Sequence, residues 1–346
     1  MRFATYNVEW FDQLFDDRGH LIDDGGWSGR FDVTRADQTR ALGQVFAAMD
    51  ADAVLVVEAP DTSRRRDGAK ALEHFAARFD LRARRAIVGY ANDTQQEIAL
   101  LYDPDVLEAH HDPQHDDAAP RFDGTFRLDV DTDASPDVIE WSKPPLELAV
   151  TCGGRALRLI GVHAKSKAPH GARTQAQVIR LSIENRRKQL AQCIWLRRRI
   201  KAHLEAGEPL IVMGDFNDGP GLDEYEKLFG RSGVEIVLGE GNGIQLFDPH
   251  ARMALGRRIG AMPSTARFKL KDGPFLSALL DYIMVSPDIA ATQPRWRIWR
   301  RFDDPVCFAD DALRSALLVA SDHFPVTIDL DPALLGSGAS APISGA

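Results

Sequence analysis

Short apolar runs separated by polar punctuation dominate the pattern along this chain. "RFATYNVEW", "ADAVLVVEAP", "EIALLYDP", "LELAVTC", "ALRLIGVHAK", "PLIVMGDFN", "LLDYIMVSP" and "FPVTIDL" are short, rich in β-branched residues and bordered by Gly, Pro or Asp. Those features predict buried strands rather than helices. Helical stretches lie between several of them. "TRADQTRALGQVFAAMD" begins at a Thr34 cap, "RDGAKALEHFAARF" is rich in alanine, and a long helix is predicted from about Thr174 to Glu205, ending near Gly207. Strands interleaved with helices give an α/β class.

No Pro/Gly/Ser-rich linker and no internal repeat divides the 346 residues, so a single domain over 1–332 is expected. A hydrophobic content of 44% is ample for its core. The tail 333–346, containing "GSGASAPISGA", is too small and polar to pack and is expected to be disordered. Two loop-like stretches, 12–32 and 110–124, stand out by their length. The histidines of the second, His110, His111 and His115, lack strand or helix spacing and are set aside as insert composition. Cys152, Cys193 and Cys307 are far apart, without a C-x-x-C spacing, which points away from disulfides and zinc and toward a reducing compartment. The first residues read as a strand rather than a leader, and no run is long enough to span a membrane. A cytoplasmic protein without membrane insertion or an obligate protein partner is expected. The net charge of −9 argues against a general polyanion binder, although a local basic face is compatible with it.

Candidate chemistry sits where the apolar runs stop. Asn7 and Glu9 finish the first run, Glu58 ends "AVLVVE", and His163 ends "LRLIGVH". Asp215, Asn217 and Asp218 follow "LIVMG"; Asp281 opens "DYIMV"; Asp322 and His323 precede "FPVTI". Taken singly, each is most simply a turn, a cap or a satisfied polar residue. Together, several acids, two imidazoles and an amide at the ends of different strands would be costly to gather as bare charges. Hard oxygen donors of this kind suit Mg²⁺ or Mn²⁺.

In order, "TYNVEW", "VVEAP", "GVHAKSK", "GDFND", "LDYIMVS" and "SDHFPV" resemble the motif series of the endonuclease/exonuclease/phosphatase superfamily, which includes DNase I-like nucleases and abasic-site endonucleases. The resemblance runs from about Thr5 to Val326. It implies a four-layered α/β sandwich, two mixed sheets face to face with helices outside, and metal-dependent cleavage of a phosphate ester. It also implies roles: Glu58 as the principal metal ligand with Asn7 and Glu9 beside it, and Asp322 as a further metal-side or water-positioning acid. Asp215 would position or deprotonate the attacking water, Asn217 hold the phosphate or nucleophile, and Asp281 orient His323. His163 would pair with Glu97 as a second acid, with Lys165 or Ser166 on a phosphate. His323 then has to stay protonated while Asp215 stays ionised, and a shared site can meet both demands.

The ester itself is less legible, because one fold serves many substrates. The loop "KSKAPHGARTQAQ" offers Lys165, Lys167, His170 and Arg173 as substrate contacts. "RWRIWRR" at 295–301 interleaves arginine with tryptophan, as a strand-tracking surface or as an ordinary amphipathic strand. The clusters on the long helix diverge around its axis and read as a solvated face. DNA or RNA is the leading substrate; a small inositol-phosphate-like or phospholipid-headgroup-like ester is the alternative.

Overall fold

The computed structural model describes residues 1–90, 96–128, 137–169, 171–219, 229–256, 262–269 and 273–334. His170 and the tail from 335 onward lie outside the described residues.

Two mixed sheets form the interior. The first has six strands in the order β14 (Arg295–Ile298), β15 (Val326–Asp329), β1 (Arg2–Asn7), β2 (Ala53–Pro60), β4 (Gln96–Tyr102), β3 (Arg85–Val88). The second has five, in the order β13 (Asp281–Val285), β10 (Leu210–Asp215), β9 (Arg155–His163), β8 (Leu146–Cys152), β5 (Leu107–His111). β1 runs parallel to β2 and β9 parallel to β10; the other pairings are antiparallel. Two hairpins stand apart from the sheets: β6 (Phe126–Leu128) with β7 (Asp137–Ile139), and β11 (Ala266–Lys269) with β12 (Phe275–Ala278). Eight α-helices are described: α1 (Arg35–Met49), α2 (Gly68–Arg78), α3 (Gln175–Glu205), α4 (Gly233–Leu238), α5 (Pro249–Leu255), α6 (Pro287–Ala291), α7 (Pro305–Ala309) and α8 (Asp311–Ala320).

The continuous apolar runs are explained by cover on both faces of each sheet. Leu55, Val57, Leu100, Leu159, Ile211, Met213 and Ile283 meet between the sheets. The alternate residues Ala4, Tyr6, Val54 and Val56 pack under α1, α2 and α8, while Ile160, Val162, Leu210 and Val212 pack under α3. Four layers result. Helix starts follow capping chemistry: the Thr34 side chain accepts from Asp37 N, and Thr174 and Gln177 form a reciprocal capping box.

Several segments depart from expectation. His110 and His111 are the last two residues of strand β5, paired with Ala149 and Leu148, so the loop predicted at 110 begins later. The 12–32 stretch is a folded strap: it starts with a 3₁₀ turn at Phe11–Leu14 and is closed by bridges between Phe15 and Leu21 and between Trp27 and Thr34. "RWRI" is strand β14, and its Trp296 and the Trp299 that follows it are structural. Trp299 is buried and donates Nε1 to Thr327 Oγ1, and Trp296 donates Nε1 to Ile283 O. The three cysteines are free and buried. No described helix is long and apolar enough to cross a membrane.

Candidate active site

Strand periodicity gathers the polar groups at one end of the interior. Side chains two residues apart share a face, so Phe3 leads by way of Thr5 to Asn7, Met213 to Asp215, Leu159 by way of Gly161 to His163, and Ile283 back to Asp281. Each functional side chain extends a register that faces the other sheet. Pairing then sets them side by side: Asp215 is opposite His163 on β9 and opposite Asp281 on β13. Asn7 crosses from the first sheet and donates Nδ2 to Asp215 Oδ2 at 2.9 Å.

Asp215 is held on both oxygens. Its Oδ2 also accepts from Asn217 Nδ2 at 3.1 Å, and its Oδ1 accepts from Asn217 N at 2.8 Å. The Asn217 amide, expected to grip phosphate or nucleophile, is thus occupied with Asp215 and with Ala164 O at 3.1 Å. The turn that permits this needs special backbone. Gly214 has φ +140°, and a Cβ there would lie 2.0 Å from Val162 O; Asn217 is itself left-handed. Burial lifts the Asp215 carboxyl to about 7; His323 opposes that shift and Asp281 adds to it.

His323 shows the reverse balance. Burial pulls its pKa down, but Asp281, accepting from Nδ1 at 2.8 Å, and then Asp215 and Asp322 outweigh it and hold the ring protonated well above its ordinary value. Ligand atoms of Asp215, Asp281 and His323 lie within 4.8 Å of one another. That spacing is close enough for the three to share a cation, although the His323 ring in its protonated form has no lone pair to offer one.

The oxygen-rich side lies at Glu58, Glu9 and Asp322. Glu58 occupies a bulge in the β2–β4 pairing and has φ +61°, a strained conformation of the kind found at functional sites. Burial raises its pKa. Glu9 is pushed up to about 7, first by burial and then by the charge of Asp322, with Arg30 opposing. Its carboxylate is ion-paired with Arg30, which reaches in from the 12–32 strap and also donates to Leu318 O at 3.0 Å. Asn7 Oδ1 is buried and has no hydrogen-bond partner among the described residues. Carboxylate and amide oxygens are donor types that suit Mg²⁺ or Mn²⁺, although among the described residues the acids and histidines whose ligand atoms all lie within 4.8 Å of one another are Asp215, Asp281 and His323.

The surroundings of His163 differ from expectation. His163 does not pair with Glu97: its ring meets Lys143 Nζ at 3.2 and 3.4 Å and lies 3.8 Å from Asp215 Oδ2. Glu97 shares its strand face with Ala99 and Leu101, toward the helices, whereas Gln96 shares the inward face with Ile98 and Leu100. Gln96 accepts from Lys143 Nζ at 2.7 Å and donates to Glu58 Oε2 at 2.8 Å, linking the two halves of the site. Burial, then Lys143 and His323, drive the His163 pKa well below its ordinary value, so the ring is neutral. Burial also lowers that of Lys143, against Glu58 and Asp215.

Of the loop residues, Lys165 stays half-buried close to Lys143, whose charge it opposes. Lys167 is instead ion-paired with buried Asp218, which also receives Arg186. Ser166 Oγ accepts from Ala168 N within its own turn, and Arg173 is exposed ahead of α3. Sequence reasoning missed Lys143, Gln96 and Arg30. It also missed Ser321, whose hydroxyl donates to Asn7 O and accepts from Glu9 N and His323 N, tying the first strand to the last motif.

The architecture is shared with solved proteins at low identity. A truncated Caenorhabditis elegans TDP2 superposes with a TM-score of 0.52 at 12% identity, over 95% of this chain and 96% of that one. D. rerio TDP2, in a complex with a single-strand DNA product, superposes with a TM-score of 0.51 at 13% identity, over 96% and 98%. Among curated protein sequences, none matches this one. The model of the Endonuclease/Exonuclease/phosphatase family matches residues 4–323, from the second residue beyond the amino terminus of β1 to the histidine paired with Asp281. Sequence motifs, the two-sheet fold and that match agree, and the chain belongs to the Endonuclease/Exonuclease/phosphatase family.

Proposed function

We propose that this protein is a Mg²⁺- or Mn²⁺-dependent phosphodiesterase that hydrolyses nucleic acid, with residues 1–332 acting as one catalytic unit. The observation that carries the reading is the opposition of protonation states at close range: an imidazole held charged by Asp281 beside a carboxylate, Asp215, lifted to about 7.

Glu58, Glu9 and Asp322 would hold the cation, and the buried, unpartnered Asn7 Oδ1 is a further oxygen donor. When bound, it supplies charge neutralisation for phosphate oxygens and acidifies a coordinated water. The protein's own groups do the rest. With Nδ1 committed to Asp281, His323 has Nε2–H left to donate to a non-bridging oxygen, where negative charge accumulates. Asp215, its orientation fixed by Asn7 and Asn217, accepts the proton of the attacking water; a base with a pKa near the working pH is effective at this. Lys143, seated between Gln96 and neutral His163, is the cation for the departing oxygen, with Lys165 nearby on the phosphate.

The test is incubation with single- and double-stranded DNA and RNA, and with a panel of small phosphate esters, in Mg²⁺ or Mn²⁺. Cleavage of a nucleic acid that disappears in Asp215→Asn and His323→Ala variants is expected. Phosphate release from small esters with intact nucleic acids would replace the substrate assignment, and cation binding with no ester turned over would remove the enzymatic reading.

A further inference from the structure

Beside the catalytic groups lies a face that the hydrolytic step does not use. Asp322–Pro325 is flanked on both sides: Arg267 N of β11 donates to Asp322 O at 2.7 Å, and Trp299 N, just after β14, donates to Pro325 O at 2.9 Å. His323 therefore sits between the β11–β12 hairpin and the turn that leads from β14 into α7. Both neighbours carry arginine over phenylalanine. Arg267 lies 3.6 Å from the Phe275 ring centre and Arg301 lies 4.4 Å from that of Phe302; Arg314 of α8 lies 5.4 Å from that of Phe308. The three phenylalanines are 50%, 56% and 55% exposed.

Large exposed aromatics next to a catalytic site call for an explanation that scattered surface apolars do not. The charges sharpen it. Nearby acids are already engaged: Asp303 by Arg300, Asp304 by Arg297 and Asp311 by Arg314. Arg267 and Arg301 have no ion pair among the described residues, and Arg301 Nε is buried without an acceptor. Burial, and after it the like charges of Arg314 and Arg267, lower the Arg301 pKa. On a chain of net charge −9, guanidinium groups massed without an anion form a local patch that an anionic ligand would complete.

Arginine between exposed rings suits one kind of polyanion. Guanidinium groups engage phosphates, and phenylalanine rings stack on bases only where the bases are unstacked. A duplex hides those faces. We propose that Arg267 and Arg301, with Phe275 and Phe302, form a binding surface for single-stranded nucleic acid that leads the strand into the active site. This deepens the phosphodiesterase reading and rests on it for the direction of the strand.

The test is fluorescence anisotropy of a short, labelled, mixed-sequence DNA strand. The full chain would carry Asp215→Asn, so that the strand stays whole, and a salt series would be run in Mg²⁺. Binding is expected, and each of Arg267→Ser and Arg301→Ser should flatten the slope of log affinity on log salt by about 0.7, the value of one single-strand phosphate contact. Arg301→Lys should restore the slope. Phe302→Ala should weaken binding about fivefold or more at constant slope, and Phe302→Tyr should retain it. No binding of the strand, or slopes unchanged in both arginine variants, overturns the inference. So does equal loss of binding to phosphatidylglycerol vesicles with Phe302→Ala silent, which would mark a lipid surface. Wild-type turnover of bis(p-nitrophenyl) phosphate, run in parallel, separates the two readings: turnover without strand binding sinks only this surface, and strand binding without turnover sinks only the hydrolase.

Discussion

Replacing Asp281 by Asn removes one charge from beside His323 while keeping the shape of the side chain. In the native site Asp281 Oδ2 lies 2.8 Å from His323 Nδ1, and both residues are buried. A hydrogen bond to a charged group contributes about 1.5–3 kcal/mol. At 1.36 kcal/mol per pKa unit, its loss lowers the His323 pKa by about one to two units. Burial keeps pulling in the same direction, and only Asp215 and Asp322 still oppose it. With the imidazolium as the working form, activity is lost as pH rises through this pKa, while ionisation of Asp215, near 7, sets the separate acid limb. The alkaline limb of the pH profile should therefore move one to two units lower. The deficit against wild type should reach about ten- to hundredfold on the alkaline side and shrink toward acid. The assay is kcat/KM for bis(p-nitrophenyl) phosphate in saturating Mn²⁺ across the neutral range, together with NMR titration of the His323 ring. A variant-to-wild-type ratio that is constant with pH, or an unmoved ring titration, would refute the reasoning.

Lys143→Met should lower kcat by about ten- to a hundredfold with the circular dichroism spectrum intact, and Lys143→Arg should recover part of it; an unchanged kcat would exclude Lys143 from the reaction. In Gly214→Ala the new Cβ meets Val162 O, so urea denaturation should show a loss of about 1–3 kcal/mol and turnover should fall because Asp215 is displaced. A wild-type urea midpoint would show that the turn tolerates a side chain. His250 is half-buried, and desolvation lowers its pKa to about 4, so the ring is neutral. Its contribution to stability is complete above the unfolded value near 6.5 and is lost as pH falls toward 4, on the order of 3 kcal/mol in all. His250→Gln should therefore lose that part of the acid slope in urea midpoints, and parallel slopes in the two proteins would contradict the assignment.

The strand-end acids were legible because each stands where an apolar run breaks, and a buried run can end in a carboxylate only where something compensates the charge. The structure brings Asn7, Asp215 and Asp281 together, and sets His323 against Asp281. The phase of the runs was not legible. "EIALLY" is apolar on both faces, so it gives no alternation, and Glu97 and Gln96 cannot be told apart until the register places Gln96 inward with Ile98. Lys143 precedes its strand by three residues and carries no signal of its own. Arg30 enters from the 12–32 strap, whose fold depends on contacts with α1 and α8 that no local pattern encodes. "RWRIWRR" reads equally as a surface with stacking rings or as an ordinary amphipathic strand, and the strand is what forms: the tryptophans support the core and Arg297 and Arg300 are paired. Arg301 alone of its basic residues joins the patch beside His323.

Turnover of bis(p-nitrophenyl) phosphate against Mn²⁺ concentration, in wild type and Glu58→Gln after removal of divalent ions, addresses the central claim most directly. The expected result is no activity without metal, saturable recovery, and a half-saturating concentration at least about tenfold higher in the variant. Metal-independent turnover, or the same half-saturating concentration in both proteins, would contradict a cation held at Glu58, Glu9 and Asp322.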